Sequence, residues 1–358
     1  MSTTSAAPDD YWLYLSSGSQ DGGEGIGLYR FSADSGSVTP VQNLPLVESS
    51  SYLAVRGDRL YSIQEEGKMG LVTGFSLDAH TGLLSKLGEA PTGGVNPCYV
   101  ALADEGRKLL VAHYTSAQIS AIEIDANGAP GAMLDQVQHE GSSINANRQQ
   151  EAHPHMIYPV GDANLILVPD LGSDQVFAYG LDEGGHFVAK SPASLHANPG
   201  AGPRHVCIHP TKSLGYWVNE LDNTVNTFSW NAESGLIAML DTVTILPQDF
   251  TDHSQASDIH ISPDGRFVYA ANRGHNSIAI LAVEEATGTL RFVDTVPCGG
   301  DWPRAFAIDP TGKFLLVAQQ HSDALTVFRR DLETGGLTAL QTIDTEASPQ
   351  CIRFVKVK

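Results

Sequence analysis

The stretch GPRHVCIHPTKSLGYWVNELDNTVNTF, residues 202–228, contains short runs of β-branched and aromatic residues separated by the turn sequence HPTK. Two later stretches follow the same plan, ASDIHISPDGRFVYAANRGHNSIAIL at residues 256–281 and WPRAFAIDPTGKFLLVAQQHSDALTVF at residues 302–328. In each, a strand-like run leads into a tight turn, a second run, a polar loop and a third run. These copies predict a repeated unit of antiparallel β-strands.

The same unit recurs along the whole chain. A second type of turn, rich in Asp, Gly and Thr, appears seven times between Asp34 and Asp331. Seven units, each with room for four short strands, predict an all-β fold, a seven-bladed β-propeller. The copies begin, at intervals of 46–57 residues, near Ser51, Pro97, Pro154, Pro203, Ser257, Pro303 and Pro349.

The two ends of the chain are incomplete units that complement each other. The last copy leaves one strand, residues 350–357, and residues 11–32 supply strands that lack an opening strand. We therefore predict that N- and C-terminal strands share one blade and close the ring, which removes exposed sheet edges. The expected organisation is a single propeller domain over residues 11–358, after a disordered tail at residues 1–10.

The overall charge restricts the possible partners. The 358 residues carry 21 Lys and Arg against 41 Asp and Glu, a formal net charge of −20. This acidity, without a basic stripe, argues against a nucleic-acid partner or an anionic membrane surface. The sequence has no run of 18 apolar residues and no secretory signal pattern at its start. We expect a monomer or weak homodimer, and an anionic ligand would need a local cluster of arginines.

The four cysteines are far apart in the sequence and form no C-x-x-C pair. They are Cys98, Cys207, Cys298 and Cys351. Three lie in strand-like segments, where a cysteine is usually a small buried hydrophobe. We expect no disulfides and a cytoplasmic location.

Propeller geometry predicts that many polar residues converge on one face. The first strand of a blade lines the central channel, so the residues that follow the seven repeat starts should form a ring: Tyr52, Cys98, His155, Arg204, Asp258, Arg304 and Gln350. The second strand is antiparallel to the first, and its end should lie beside them: His113, Tyr114, Asp170, Glu220, Asn272, Arg273, Gln319 and Gln320. Two long connections, residues 134–153 and 240–257, should form a rim on the same face.

Four of these residues predict an anion-binding pocket. Arg204, Arg273 and Arg304 face one carboxylate, Glu220, which leaves an excess of positive charge in a concave site on an acidic protein. Arginine forks match the geometry of carboxylate and phosphate groups. Ion pairs on inner strands can also serve only to hold blades together, and for Asp258 alone that structural role is the expectation.

Other types of site find less support in the sequence. His153 and His155 are two residues apart, on one face of the expected strand, and this spacing could provide half of a zinc site. A third ligand at a fixed spacing is missing, so we expect no metal and no cofactor. The sequence also contains no G-x-S-x-G elbow, P-loop or dinucleotide-binding fingerprint.

At these residues the sequence resembles the seven-bladed propeller lactonases, a family that includes propeller-type 6-phosphogluconolactonases. The resemblance extends from Tyr11 to Val357. It is carried by RQQEAHPHMI (148–157), VPDLGSDQVFAY (168–179), GAGPRHVCIHP (200–210), VNELDNTV (218–225), SDIHISPDGRFVYAANRG (257–274) and PRAFAIDPTGKFLLVAQQ (303–320). It implies hydrolysis of the ring ester of 6-phosphoglucono-1,5-lactone, in the oxidative pentose phosphate route.

The resemblance also suggests roles for the polar residues. Glu220, His153 or His155 is the expected base, Arg204 and Arg273 would polarise the carbonyl, and Arg304 with Arg148 would hold the phosphate. Four further residues are expected to contact substrate: Asp258, His205, Gln320 and Asp170. The GAGPRH and VNEL strings favour the phosphogluconolactonase branch of the family over its carboxymuconate cyclases.

Three other functions remain open at this stage. The protein could be a lactonase for an unphosphorylated aldonolactone, a carboxymuconate-type cycloisomerase, or a non-catalytic scaffold that binds proteins through its rim. The scaffold hypothesis predicts an apolar or aromatic patch on one face and leaves the central arginines unexplained.

Overall fold

A computed structural model describes residues 10–18, 25–45, 49–64 and 69–358. These residues form seven four-stranded antiparallel sheets arranged as the blades of a propeller, which confirms the predicted fold class. The one helical element of the described ranges is a 3-10 turn at Asp104–Gly106. The predicted tail at residues 1–10 lies outside the description except for Asp10, which begins the first strand.

The strands are numbered β1 to β28 along the chain. Blade 1 contains β28 (Pro349–Lys356), β1 (Asp10–Ser17), β2 (Ile26–Ser32) and β3 (Val38–Leu44). Blade 2 contains β4 (Tyr52–Arg56), β5 (Arg59–Gln64), β6 (Leu71–Leu77) and β7 (Leu84–Pro91). Blade 3 contains β8 (Pro97–Ala103), β9 (Lys108–His113), β10 (Gln118–Ile124) and β11 (Pro130–Gln138). Blade 4 contains β12 (Tyr158–Pro159), β13 (Ile166–Asp170), β14 (Gln175–Leu181) and β15 (Phe187–His196).

The remaining blades follow the same order from channel to periphery. Blade 5 contains β16 (Pro203–Ile208), β17 (Leu214–Asn219), β18 (Thr224–Asn231) and β19 (Gly235–Thr244). Blade 6 contains β20 (Gln255–Ile261), β21 (Phe267–Arg273), β22 (Ser277–Val283) and β23 (Leu290–Pro297). Blade 7 contains β24 (Pro303–Ile308), β25 (Phe314–Gln319), β26 (Ala324–Arg330) and β27 (Leu337–Asp344).

Blade 1 is assembled from both ends of the chain, as predicted. Strand β28 is its inner strand and pairs antiparallel with β1, from Tyr11 opposite Lys356 to Ser17 opposite Pro349. The ring is therefore closed by main-chain hydrogen bonds between the first and last strands, with a β-bulge at Ser16 and Ser17.

The inner strands start on one face of the ring, here called the site face, where the second strands end. The inner strand of blade 4 differs from the prediction. His153 and His155 precede the two-residue β12, and Pro154 forms an isolated bridge to Asp170. The chain around the two histidines therefore enters the channel as a loop rather than as a regular strand.

On the opposite face, tyrosines of the second strands hold neighbouring blades together. Each buried hydroxyl donates to a glycine carbonyl in a turn of the next blade: Tyr14 to Gly82, Tyr61 to Gly128, Tyr216 to Gly288 and Tyr269 to Gly335, at 2.7–3.0 Å. These glycines belong to the second repeated turn of the sequence, so that turn has a structural role.

On the site face, neighbouring blades are held together by a turn residue in the left-handed conformation that recurs from blade to blade. Asp174, Asn276 and Asp323 have φ of 49–54° and accept the N–H of a residue that precedes the next inner strand. Asp174 accepts from Gly202 at 2.7 Å, Asn276 accepts from Trp302 at 3.0 Å, and Asp323 accepts from Ser348 at 2.7 Å. This contact fixes where each following inner strand begins, and therefore where its first side chains point.

Apolar side chains fill the space between the blades. The largest fully buried side chains include Trp217, Tyr14, Tyr61 and Phe228. All four cysteines are buried, and none of them forms a disulfide. No helix of the described residues is long and apolar enough to cross a membrane.

Candidate active site

Glu220 lies at the centre of the site face, directly after β17, and 2% of its surface is exposed. One of its oxygens, Oε2, is 2.9 Å from Arg204 Nε and 2.9 Å from Arg273 Nη2. The other, Oε1, is 2.6 Å from Arg148 Nη2. Three guanidinium groups from two blades and the rim therefore surround a single carboxylate.

This arrangement fixes the charges of the cluster. Burial alone would raise the pKa of Glu220, but Arg273, Arg204 and Arg148 outweigh it and lower the pKa to about 2. Burial lowers the pKa of Arg273 to about 9, and the attraction of Glu220 offsets this only in part. At neutral pH the cluster therefore holds an ionised carboxylate and an excess of positive charge.

Arg148 reaches the centre from the rim that was predicted for the two long connections. It lies in the connection between β11 and β12, and its side chain is 31% exposed. Besides Glu220, it donates to the hydroxyl of Tyr114 at 3.1 Å and to Gln255 at 3.4 Å. Gln149 anchors the same connection, donating to Asp174 at 2.7 Å.

His153 stands beside this cluster with one ring nitrogen fixed. Its Nδ1 is 2.8 Å from the carbonyl oxygen of Tyr114, and its ring stacks on that of Tyr114 at 4.4 Å and 6°. Because a carbonyl can only accept, Nδ1 carries the proton in the neutral imidazole and Nε2 keeps a free lone pair. This is the tautomer that a general base requires.

Asp170 fixes the backbone of His153 through a hydrogen bond. It is fully buried, and its Oδ1 accepts the backbone N–H groups of His153 and Ser173 at 2.8 and 3.0 Å. Its Oδ2 is 2.9 Å from His139 Nδ1. Both oxygens of this predicted substrate-binding residue are therefore engaged by protein groups.

A deeper layer of the channel contains His155, His205 and Asp258. His205 Nδ1 is 2.8 Å from Asp258 Oδ1, and its Nε2 is 3.2 Å from Arg204 Nη1. Asp258 also accepts from the backbone of Phe306 at 3.1 Å, so it links blades 5, 6 and 7. Both carboxylate oxygens of Asp258 therefore have protein partners.

The two deep histidines are neutral. Burial, reinforced by Arg204, lowers the pKa of His205 to about 4. Burial, Arg204 and His205 hold the pKa of His155 well below its usual range. His155 Nδ1 is also buried without a hydrogen-bond partner in the described part of the chain. A histidine in this state is a weak base.

Arg304 differs from the other arginines of the site. It lies on β24 at the start of the inner strand, is partly exposed, and its side chain forms no hydrogen bond or ion pair with any described residue. Its charge is nevertheless close enough to lower the pKa values of His155, Arg204 and Arg273. Arg304 is therefore a cation in the channel that is available to a ligand.

The structure thus brings together most of the predicted residues. Glu220, Arg204, Arg273, Arg148 and His153 form one connected group at the mouth. Gln320 directly follows β25, as Glu220 follows β17, but its side chain donates to Ser348 Oγ at 3.2 Å rather than to the cluster.

Two residues of the mouth were not predicted as site residues. Tyr114 connects His153 to Arg148, and the ring of Trp302 lies 5.3 Å from the guanidinium carbon of Arg273. Tyr114 directly follows a second strand, as Glu220 does, and Trp302 directly precedes the proline that opens its repeat, as His153 does. That positional equivalence is the signal that could have identified both.

Among the residues that the structure describes, no group of three or more His, Cys, Asp and Glu side chains could hold a metal ion. His153 and His155 are therefore not joined there by a third ligand.

The fold and the cluster define the class of seven-bladed propellers that hold buried arginines around one carboxylate at the mouth of the channel. Residues 12–354 match the family described as lactonase, 7-bladed beta-propeller, and the chain belongs to this family. It is therefore a lactonase, a carboxylic-ester hydrolase that opens a lactone ring, as predicted.

Several proteins are similar over nearly their whole length. A 6-phosphogluconolactonase of Bacillus subtilis is 33% identical over 347 residues, which is 96% of this chain and 98% of that protein. A 6-phosphogluconolactonase of Formosa agariphila is 33% identical over 89% of this chain and 92% of its own length. The structure of the periplasmic gluconolactonase PpgL of Pseudomonas aeruginosa superposes with a TM-score of 0.91 at 32% identity, covering 98% of this chain and all of that one.

Proposed function

We propose that the protein hydrolyses 6-phosphoglucono-1,5-lactone to 6-phosphogluconate, as a step of the oxidative pentose phosphate route. The observation that carries this proposal is Arg304, a channel cation without a protein partner among the described residues, beside a cluster whose carboxylate is already shared by three arginines. A dianionic phosphate supplies the negative charge that this arrangement lacks. The names of the two curated relatives support the same substrate.

His153 is the residue we assign as general base. Its Nε2 accepts a proton from water, and the resulting hydroxide attacks the lactone carbonyl carbon. Glu220 is a poor base because its pKa lies at about 2, and His155 is a poor base because its pKa is held far below its usual range. Of the three candidates from the sequence, His153 alone has its proton position fixed by a backbone carbonyl.

Arg204 and Arg273 stabilise the oxyanion of the tetrahedral intermediate. Both are buried, so their positive charges act in a medium of low dielectric constant. Glu220 holds them in place and balances one of the charges before substrate binds. As the intermediate collapses, the bond between C1 and the ring oxygen breaks, and the protonated His153 returns its proton to that oxygen. The carboxylic acid then ionises and releases one proton to water.

Arg304 and Arg148 would bind the phosphate. Arg148 comes from the rim and is partly exposed, so it can reach a group at the outer end of the substrate. Arg304 lies on an inner strand next to the cluster. The two residues would fix the lactone by its phosphate while the ring carbonyl faces Arg204 and Arg273.

An unphosphorylated aldonolactone is the second candidate substrate. It is favoured by the similarity to PpgL, whose name is gluconolactonase. Arginine side chains also donate hydrogen bonds to sugar hydroxyls, so the same pocket could bind the smaller ring. A scaffold role would leave the fixed tautomer of His153 and the buried arginines without use.

The test is the rate of proton release from freshly prepared lactones. Freshly made 6-phosphogluconolactone is compared with glucono- and galactonolactone, for the wild type and for Arg304→Gln, with and without a chelator. We expect fast opening of the phosphorylated lactone that does not depend on chelator, and a rise in KM of about tenfold in Arg304→Gln for that substrate alone. Equal or faster opening of the unphosphorylated lactones would transfer the assignment to gluconolactonase, and no acceleration of any lactone would refute both.

We also propose a cytoplasmic location and a monomer or weak homodimer. The four buried thiols, none in a disulfide, support the location because reduced cysteines are typical of that compartment. The large apolar side chains exposed on the described surface are scattered over different blades, which supports the oligomeric state.

A further inference from the structure

The central channel has a second mouth on the face opposite the candidate active site. A column of rings fills the channel between the two mouths. His155 and His205 lie 5.5 Å apart, His205 and Tyr99 5.5 Å, and Tyr99 and Tyr52 4.1 Å between ring centroids. The two mouths are therefore separate recesses, and a ligand in one does not extend into the other.

The second mouth is a bowl of about 450 Å³ formed by the far ends of four inner strands. Its walls combine two arginines with aromatic and small apolar side chains. The lining residues are Ala54, Val55, Arg56, Tyr99, Val100, Ala101, Leu102, Tyr158, Pro159 and Arg353. None of them belongs to the active-site cluster.

Arg353 places a positive charge in the wall of this bowl. Its guanidinium carbon lies 4.7 Å from the centre of the Tyr52 ring, and Nη1 donates to the carbonyl of Ile352 at 2.8 Å. Within the described residues, no carboxylate lies at ion-pair distance from it. The other ionisable groups nearby are neutral at pH 7, because burial raises the pKa values of Tyr52, Tyr99 and Cys351. Neutral groups, among them Tyr52 as a hydrogen-bond acceptor, hold the guanidinium of Arg353, and no carboxylate balances its charge, so the counter-charge is left for an anion.

Arg56 adds a second positive charge at the rim of the bowl. It is exposed and forms no ion pair with a described residue. Arg56 also lines the neighbouring groove, whose carboxylates are Asp104, Glu105, Asp162, Asp182 and Glu183; of these, Asp104 is engaged by Arg107 and Lys108 at 2.5 Å each. The lining of the bowl itself contains two arginines and no carboxylate.

We propose that this second mouth binds a small organic carboxylate with a flat apolar body. The fork of Arg353 matches a carboxylate, and the protonated phenol of Tyr158, whose pKa burial raises to about 12, can donate a hydrogen bond. Tyr99, Val100 and Pro159 provide apolar contact for the body of the ligand. This site is independent of the proposed lactone substrate.

The test uses the full-length protein with 13C-labelled alanine methyl groups and benzoate as the probe. Ala54 and Ala101 line the bowl, whereas the carbonyl of Ala256 accepts from Arg273 in the active site. Benzoate should shift the signals of Ala54 and Ala101 in a saturable way, and benzamide, its neutral isostere, should not. Arg353→Gln should weaken binding at least about tenfold and leave lactone hydrolysis unchanged, which also reports that the variant is folded.

Arg56→Gln, at an exposed position, is the second variant in case Arg353→Gln does not fold, and it should weaken binding by a smaller factor. Shifts confined to Ala256, equal shifts with benzamide, or binding unaffected by both variants would overturn the proposal. Inorganic phosphate binding as tightly as benzoate would overturn the apolar-body requirement and leave a plain anion site.

Discussion

Replacing Glu220 by Gln tests the central cluster most directly. The pKa of this carboxyl lies at about 2, against an ordinary value of 4.5. At about 1.4 kcal/mol for each pH unit, the arginines stabilise the ionised form by about 3 kcal/mol. Glu220 is almost fully buried, so screening by solvent does not reduce this figure substantially. Glu220→Gln should therefore lower the free energy of unfolding at pH 7 by about 3 kcal/mol.

The stabilisation by Glu220 should decrease as the pH falls. The pKa in the folded protein lies below that of the unfolded chain, so the stabilisation is complete well above pH 4.5 and is lost as the pH falls towards 2. At pH 3 about 1.4 kcal/mol of it remains. The difference between wild type and Glu220→Gln should therefore shrink by more than half between pH 7 and pH 3.

Urea unfolding followed by tryptophan fluorescence at the two pH values measures both quantities. Glu284→Gln is the matched control, since Glu284 forms one exposed pair with Arg291 at 3.2 Å and should change stability by less than about 1 kcal/mol. Equal stability of wild type and Glu220→Gln at pH 7, or a loss that is the same at both pH values, would refute the reasoning. In the lactonase assay, full turnover by Glu220→Gln or Arg204→Ala would refute their assignment to the catalytic site.

Three further predictions concern the residues around this cluster. His153→Gln should lower kcat by about 100-fold with little change in thermal stability. His186→Gln, at an exposed histidine, should leave kcat unchanged, and a normal kcat for His153→Gln would exclude His153 as the base. Arg273→Gln should lower kcat by about 100-fold, because it removes one of the two buried positive charges assigned to the oxyanion; an unchanged kcat would contradict this assignment. Asp174→Ala should lower the free energy of unfolding, measured in urea, by about 3 kcal/mol and raise KM, because the Asp174 carboxylate accepts three hydrogen bonds. Asp323→Ala should lower the free energy of unfolding by about 1 kcal/mol. Equal losses for these two variants would contradict the role assigned to Asp174.

The fold and the site face could be predicted from the sequence because both follow from the repeat. Equivalent positions in each unit occupy equivalent positions around the ring, so Arg204, Glu220 and Arg273 had to converge once seven blades were recognised. The shared blade followed in the same way from counting strands at the two ends. None of these steps requires knowledge of side-chain conformations.

The pairing of individual atoms could not be predicted in this way. Whether Arg148 reaches Glu220 depends on the path of an irregular connection, which the repeat does not specify. The conformation of Trp302, with φ of +63° and its N–H held by Asn276, depends on a contact between blades. The tautomer of His153 depends on the carbonyl of Tyr114, whose position is set by the loop-like entry of blade 4.

The pairing of β1 with β28 has a consequence for how the molecule acquires its structure. The residues that face each other there, Tyr11 and Lys356, are separated by almost the entire chain, so their contact carries a high cost in loop entropy. During synthesis, blades 2 to 7 can form in order as they leave the ribosome, while β1 has no inner neighbour until β28 has been made. Loss of residues 349–358 would then leave six complete blades and the three strands β1 to β3 without their inner strand, so β1, which is made before the other described strands, would be among the last to become ordered.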